Sequence, residues 1–252
     1  ETAESYYDEG LTASMKGDIA QAIEHFERAI QLDNSFAAAY HQLGKCYLRQ
    51  GRAKKAVTFL SQVVAGRPHQ VPPRVDLGYA LLELGDTAKA RDMFSQALSA
   101  KPANSRAHLG LAMCAFNEGR WDEAVVCAQN AIEQGGANFA AVFLAGRASQ
   151  LAGNIPHAQE MFQRAEALIE KSIETSPDQP EGYFLRGEVH FVREDFAKAL
   201  EDYRAAEDRA EADKHYAAYG THFGRADVLA KRGLCLQRLG RDDVAREVGE
   251  QV

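Results

Sequence analysis

The side chains in this sequence that could do chemistry are eight histidines, four cysteines and many carboxylates, and none falls into a reactive pattern. His25, His41, His69, His108, His157, His190, His215 and His222 are scattered along the chain. His215 and His222 lie seven residues apart, but Gly220 interrupts any helix that would place them on one face. Cys46, Cys114, Cys127 and Cys235 have neither CxxC spacing nor a histidine at metal-ligand spacing, so no metal site is expected. There is no GxxxxGK[ST] phosphate loop, GxGxxG turn, HExxH helix or GxSxG elbow. The acids Glu207, Asp208, Glu211 and Asp213 read as the solvated side of a helix. The chain is therefore expected not to be an enzyme and to need no cofactor.

What remains is non-covalent binding, and charge bounds its class. The 252 residues carry a net charge of −7, which argues against nucleic acid as the partner. Residues 1–36 hold 2 Lys/Arg against 8 Asp/Glu, whereas residues 37–70 hold 6 Lys/Arg and no acid. Either the acidic stretch docks on the basic one, or the basic one meets an acidic ligand. No apolar run reaches the roughly 18 residues of a membrane span, so membrane insertion is not expected. Unpaired thiols and the lack of a basic-then-apolar leader fit a cytoplasmic setting. A chain that begins at Glu1 without Met reads as a piece of a longer one.

The elements that position these residues repeat. Gly10, Gly44, Gly78, Ala112 and Gly146 stand 34 residues apart. So do Ala22, Ala56, Ala90, Ala124 and Ala158, and so do Gly17, Gly51, Gly85, Gly119 and Gly153. Three registers in phase at this interval mean an array of helical repeats. In Val71–Asn104, Pro72-Pro73 suits a helix start, and Leu77, Gly78, Leu81 and Leu82 follow at helical spacing. Gly85-Asp86 breaks that helix and caps the next, whose apolar stripe is Ala90, Met93, Phe94, Ala97 and Leu98. Gly78 and Ala90 fall where the two helices come closest, and Phe94 fills the space beside them. Cys46, Cys114 and Cys235 share one position, two after the small residue, and read as small buried fillers.

A small residue, a glycine turn and then A-x3-F-x2-A with a late proline resembles the tetratricopeptide repeat. Here it reads Gly44, Ala56, Leu60, Val63, Pro68 and again Gly78, Ala90, Phe94, Ala97, Pro102. The resemblance implies an all-α fold, a right-handed superhelical solenoid of antiparallel helix pairs. Repeats are expected at 3–36, 37–70, 71–104 and 105–138. A fifth, at 139–179, has a lengthened second helix running from Ala158 to about Thr175. A sixth, at 180–225, carries an extended helix from about Asp195 to Tyr216 and a linker. The seventh, at 226–252, is incomplete, with Val244, Ala245, Val248 and Val252 as the apolar side of its last helix.

In this family the first helix of each pair lines the concave surface. The matching row is Tyr7, Leu11, Ser14; His41, Lys45, Leu48 with Arg49; Val75, Tyr79, Leu82; Leu109, Met113, Phe116; Phe143, Arg147, Gln150; and Phe184, Glu188, Phe191. From Val75 to Phe143 it forms an apolar floor flanked by Lys45, Arg49 and Arg147. Such a groove implies a protein or peptide partner with apolar anchors and an acidic group. The carboxylate clamp of co-chaperone members is absent, because Tyr7, Leu11, Gln42, Val75 and Tyr79 stand at its positions. The asparagine ladder of glycosyltransferase members is absent as well, replaced by Gln42, Asp76, Gly110 and Leu144. Two other readings stay open. One is a self-associating assembly unit, homo-oligomeric through its C-terminal end. The other is a regulatory segment of a longer multidomain protein.

Overall fold

A computed structural model describes residues 2–136 and 138–250, so Val252 lies outside the described residues. The chain forms two compact units, residues 1–135 and 136–252. The first holds α1 (Ala3–Lys16), α2 (Ile19–Leu32), α3 (Ala37–Arg49), α4 (Ala53–Gly66), α5 (Val71–Glu83), α6 (Thr87–Ala100), α7 (Ser105–Asn117) and α8 (Trp121–Gly135). The second holds α9 (Phe139–Leu151), α10 (Ile155–Thr175), α11 (Pro180–Val192), α12 (Phe196–Glu207), α13 (Arg225–Arg238) and α14 (Asp242–Gly249). Between α12 and α13 stand two short strands, β1 (Tyr216–Ala218) and β2 (Thr221–Phe223). Each odd-numbered helix packs on the even-numbered helix that follows it, and each pair packs on the next within its unit.

Local signals set these boundaries. Asp86 ends the turn after α5 and accepts the Lys89 backbone N–H at 3.2 Å. Asn104, Asn138 and Asn154 cap α7, α9 and α10 in the same way. Gly85 takes the left-handed φ of 77° that closes the intra-pair turn. Phe94 is fully buried, wedged between two glycines. A Cβ on Gly78 would stand 2.6 Å from the Phe94 ring, and one on Gly110 of the next pair would also strike it. The small-residue register is thus the negative image of the aromatic one. Ala22, Ala56, Ala90, Ala124 and Ala158 are all buried, as are Cys46, Cys114 and Cys235.

The long second helix ends at Thr175, capped at Ser176 as its sequence implied. Its added turns pack on α11, where Gly182 leaves room for Ile173. The other insertion corrects the expectation. The helix expected to reach Tyr216 stops at Glu207, and residues 216–223 form an antiparallel hairpin pairing Tyr216 with Phe223 and Ala218 with Thr221. The two turn residues, Tyr219 and Gly220, both have positive φ (51° and 80°), the geometry of a two-residue hairpin turn. Alternating side chains of Tyr216–Phe223 then bury on one face, a pattern that wins over the helical propensity of the acidic run before it. The acidic first pair packs on the basic second pair through α2 and α3. Among the described residues, none of the six cations of 37–70 ion-pairs with an acid of the first pair. The link is indirect: the Tyr47 hydroxyl donates to Glu27 at 2.8 Å, and Lys55 lies over the Tyr47 ring at 5.0 Å.

Candidate functional site

The first helices α3, α5 and α7 lie side by side, which brings nine of the eleven expected groove residues onto one layer of the first unit. Their environments differ. Val75 is 1% exposed and belongs to the core, contrary to its expected place on an open floor. Tyr79 is half-buried, edge-on to Phe94 at 5.1 Å, and its hydroxyl donates to the Arg106 carbonyl at 2.7 Å. Burial pushes its ionisation well up, against the pull of the Arg106 guanidinium 5.3 Å from its ring. Leu48 and Leu82 are half-buried against the core, and Leu109, Met113 and Phe116 are half-buried on α7. Phe116 meets Trp121 edge-on at 5.1 Å.

The polar members are organised by Asp76, which the groove pattern did not single out. Asp76 is buried on α5 and takes His41 Nε2 at 2.8 Å and the Arg106 guanidinium at 2.7 Å. Burial pushes the Asp76 carboxyl up, but its hydrogen bond with His41 and the Arg106 charge outweigh this and hold it below the usual range. His41 is therefore a tie between α3 and α5 rather than a free contact for ligand. Arg49 reaches back to Ser14, donating to its carbonyl at 3.3 Å and its hydroxyl at 3.2 Å. Lys45 is exposed, with no carboxylate at ion-pair distance among the described residues.

Phe143 and Arg147 lie on α9 of the second unit. Phe143 stacks on Phe139 at 5.2 Å, and Arg147 is exposed. Here part of the equivalent row is covered. Phe184 of α11, at the position of His41 and Val75 in its repeat, is 3% exposed because Phe223 of the hairpin stacks on it at 4.1 Å. Tyr219, at the hairpin tip, meets Phe139 at 5.7 Å. The sequence signal for this was the aromatic alternation around Tyr219-Gly220, masked by its place in an insertion. Deeper in the unit, His190 lies between Asp202 (Nδ1, 2.8 Å) and Glu166 (Nε2, 3.0 Å). Among the described residues, no group of three or more His, Cys, Asp or Glu could hold a metal ion. Among the described residues, no helix is long and apolar enough to cross a membrane.

The stacked helix pairs match known proteins. A family model, the cilia and flagella-associated protein 70 C-terminal domain, a tetratricopeptide domain, matches residues 6–222. The chain belongs to this tetratricopeptide family. Part of the tetratricopeptide chain is 34% identical over 89 residues to chicken (Gallus gallus) DnaJ homolog subfamily C member 3, covering 35% of this chain and 18% of that protein. The human protein of that name is 26% identical over 102 residues, covering 40% of this chain and 20% of that protein. The matched segments thus span about a fifth of these relatives. Among solved structures, a tetratricopeptide repeat protein from Parabacteroides merdae superposes with a TM-score of 0.66 at 17% identity, over 99% of this chain and 91% of that one. Cut9–Hcn1 of the APC/C gives 0.64 at 19% identity, over 92% and 42%. These structural likenesses establish the all-α tetratricopeptide solenoid, a fold that serves as a protein-interaction scaffold.

Proposed function

We propose that the α3–α5–α7 face of the first unit seats a partner protein segment with apolar anchors and an acidic group, without catalysis. One contrast carries this reading. Leu48, Leu82, Leu109, Met113 and Phe116 stand half-exposed in succession along this face beside Lys45, whereas in the second unit Phe184 of the matching row is covered by the chain's own hairpin. Half-exposed apolar side chains in a row mark a contact surface. The anchors would lie over Leu82 and Met113, and the acidic group would meet Lys45 and Arg49. The four free cysteines fit a reducing compartment such as the cytoplasm. Selection from a random peptide library tests the reading. Recovered sequences should combine two or three apolar residues with Asp or Glu and should lose binding to a Met113→Glu chain that stays helical. Sequences that bind that variant as well as the parent overturn it.

A second reading rests on a different observation. Leu234, Leu239 and Val244 of the last helix pair are exposed. They would serve self-association, which sedimentation velocity over a concentration series detects. A constant monomer mass at every concentration rules it out.

A further inference from the structure

The hairpin lies against the first helices of the second unit, and the helical stack closes without it. The connections between pairs at 33–36, 67–70, 101–104 and 176–179 take four residues each, yet α12 and α13 are joined by residues 208–224. The extra length is not needed to bring them together. The helices α12 and α13 pack directly on each other, and Arg225 and Arg232 both pair with Glu207 across that contact. Lys231 adds a bridge to Glu188 of α11 at 2.7 Å. The strands themselves are three residues each, too short to hold as a hairpin in water. Their order comes from docking. Phe223 lies face to face with Phe184, and Tyr216 stacks on Phe223 at 5.4 Å, so the two rings bury together on α11. Tyr219 rests against Phe139 of α9 while staying 51% exposed. Lys214, His215, Ala217 and His222 all face solvent.

We propose that the first-helix face of α9 and α11 is a ligand-binding surface in its own right, and that residues 214–224 are its occupant, a tethered pseudo-ligand held in cis and released as a unit. This rests on the reading that first-helix faces are the ligand side of the repeats. It adds a second binding face, specific for a strand-like segment with aromatic residues on alternate positions. Phe184 supplies the flat platform on which one ring of the segment stacks, and Phe139 supplies the second contact. The chemistry differs from that of the first unit, where leucines, Met113 and Lys45 stand with Tyr79 and Phe116 and, among the described residues, no ring of the row forms a face-to-face platform.

The test separates the hairpin from the stack. Residues 212–223 are replaced by a short Gly-Ser linker, and a fluorescein-labelled peptide spanning 211–225 is added in trans. The linker chain should keep the parent's helical spectrum and bind the peptide saturably. The parent, whose face is filled, should bind at least tenfold more weakly. Phe184→Ala in the linker chain should cost at least a further tenfold. A folded linker chain that ignores the peptide overturns the proposal and makes the hairpin a fixed brace. Should the linker chain fail to fold, hydrogen exchange on the parent decides. Amides of 216–223 that exchange faster than those of α11 and α13 support release as a unit, and equal protection refutes it. Neither outcome depends on Met113, so the fate of the first-unit reading stays separate.

Discussion

His41 and Asp76, 35 residues apart in the chain, meet at 2.8 Å across two neighbouring repeats. The carboxylate also takes Arg106 from the following repeat, so one buried charge fastens α3, α5 and α7 together. Removing it leaves His41 and Arg106 without their shared acceptor. Arg106 is 57% exposed and can turn to water, which keeps the penalty below that of a fully buried pair. Asp76→Ala should therefore cost about 1–3 kcal/mol in urea unfolding. A double-mutant cycle of Asp76→Ala with His41→Ala should show coupling, and strict additivity would mean that the contact carries no energy.

His190 makes stability depend on pH in a set direction. Burial pushes its ring pKa down, but hydrogen bonds to Asp202 and Glu166 outweigh that and raise it above the ordinary 6.5. Both ring nitrogens face carboxylate oxygens, so the protonated ring donates twice, which favours the imidazolium. Arg186 on Asp202 and Arg193 on Glu166 complete the cluster. A raised folded-state pKa contributes stability in full below about pH 6.5 and loses it as pH rises through the folded value. The urea midpoint should fall across that window, and His190→Gln should flatten the fall. An unchanged slope in the variant would assign the effect to another group.

Lys45 and Arg49 should govern affinity for acidic peptides. Reversing both to Glu is expected to weaken such a ligand by about 1–3 kcal/mol, with the parent's affinity dropping as salt rises. Fluorescence anisotropy at low and high ionic strength measures both effects. Equal binding by parent and variant would remove these cations from the site.

Gly78→Leu should lower stability by about 1–3 kcal/mol or more, because even a Cβ there meets the Phe94 ring. For a chain of this size each kcal/mol moves Tm by roughly 2–4 °C. Circular-dichroism melting reads the shift, and a variant that melts with the parent would show that α5 and α6 part freely.

Burial pushes the thiols of Cys114 and Cys235 up to about 11, and raises Cys46 as well. A thiol-reactive dye at pH 7 should label these three only as fast as the chain unfolds, since the thiolate is the reactive form. Half-exposed Cys127 should react first. Rapid labelling of Cys114 in the folded chain would contradict its burial.

The helix-pair array was legible in the sequence by itself because each repeat buries the same few positions. Phe94 needs Gly78 and Ala90 nearby wherever the chain is read, so packing writes a 34-residue period into the residues. The long helix to Thr175 was legible too, since added helical turns keep the same face. Which groove residues stay open was decided only in three dimensions. Val75 sinks into the core, and His41 turns to Asp76, because their exposure depends on neighbours one repeat away that the row itself does not name. The hairpin over Phe184 was hidden for the same reason. A stretch of residues outside the period carries no register, and its partner face is set by tertiary contact alone.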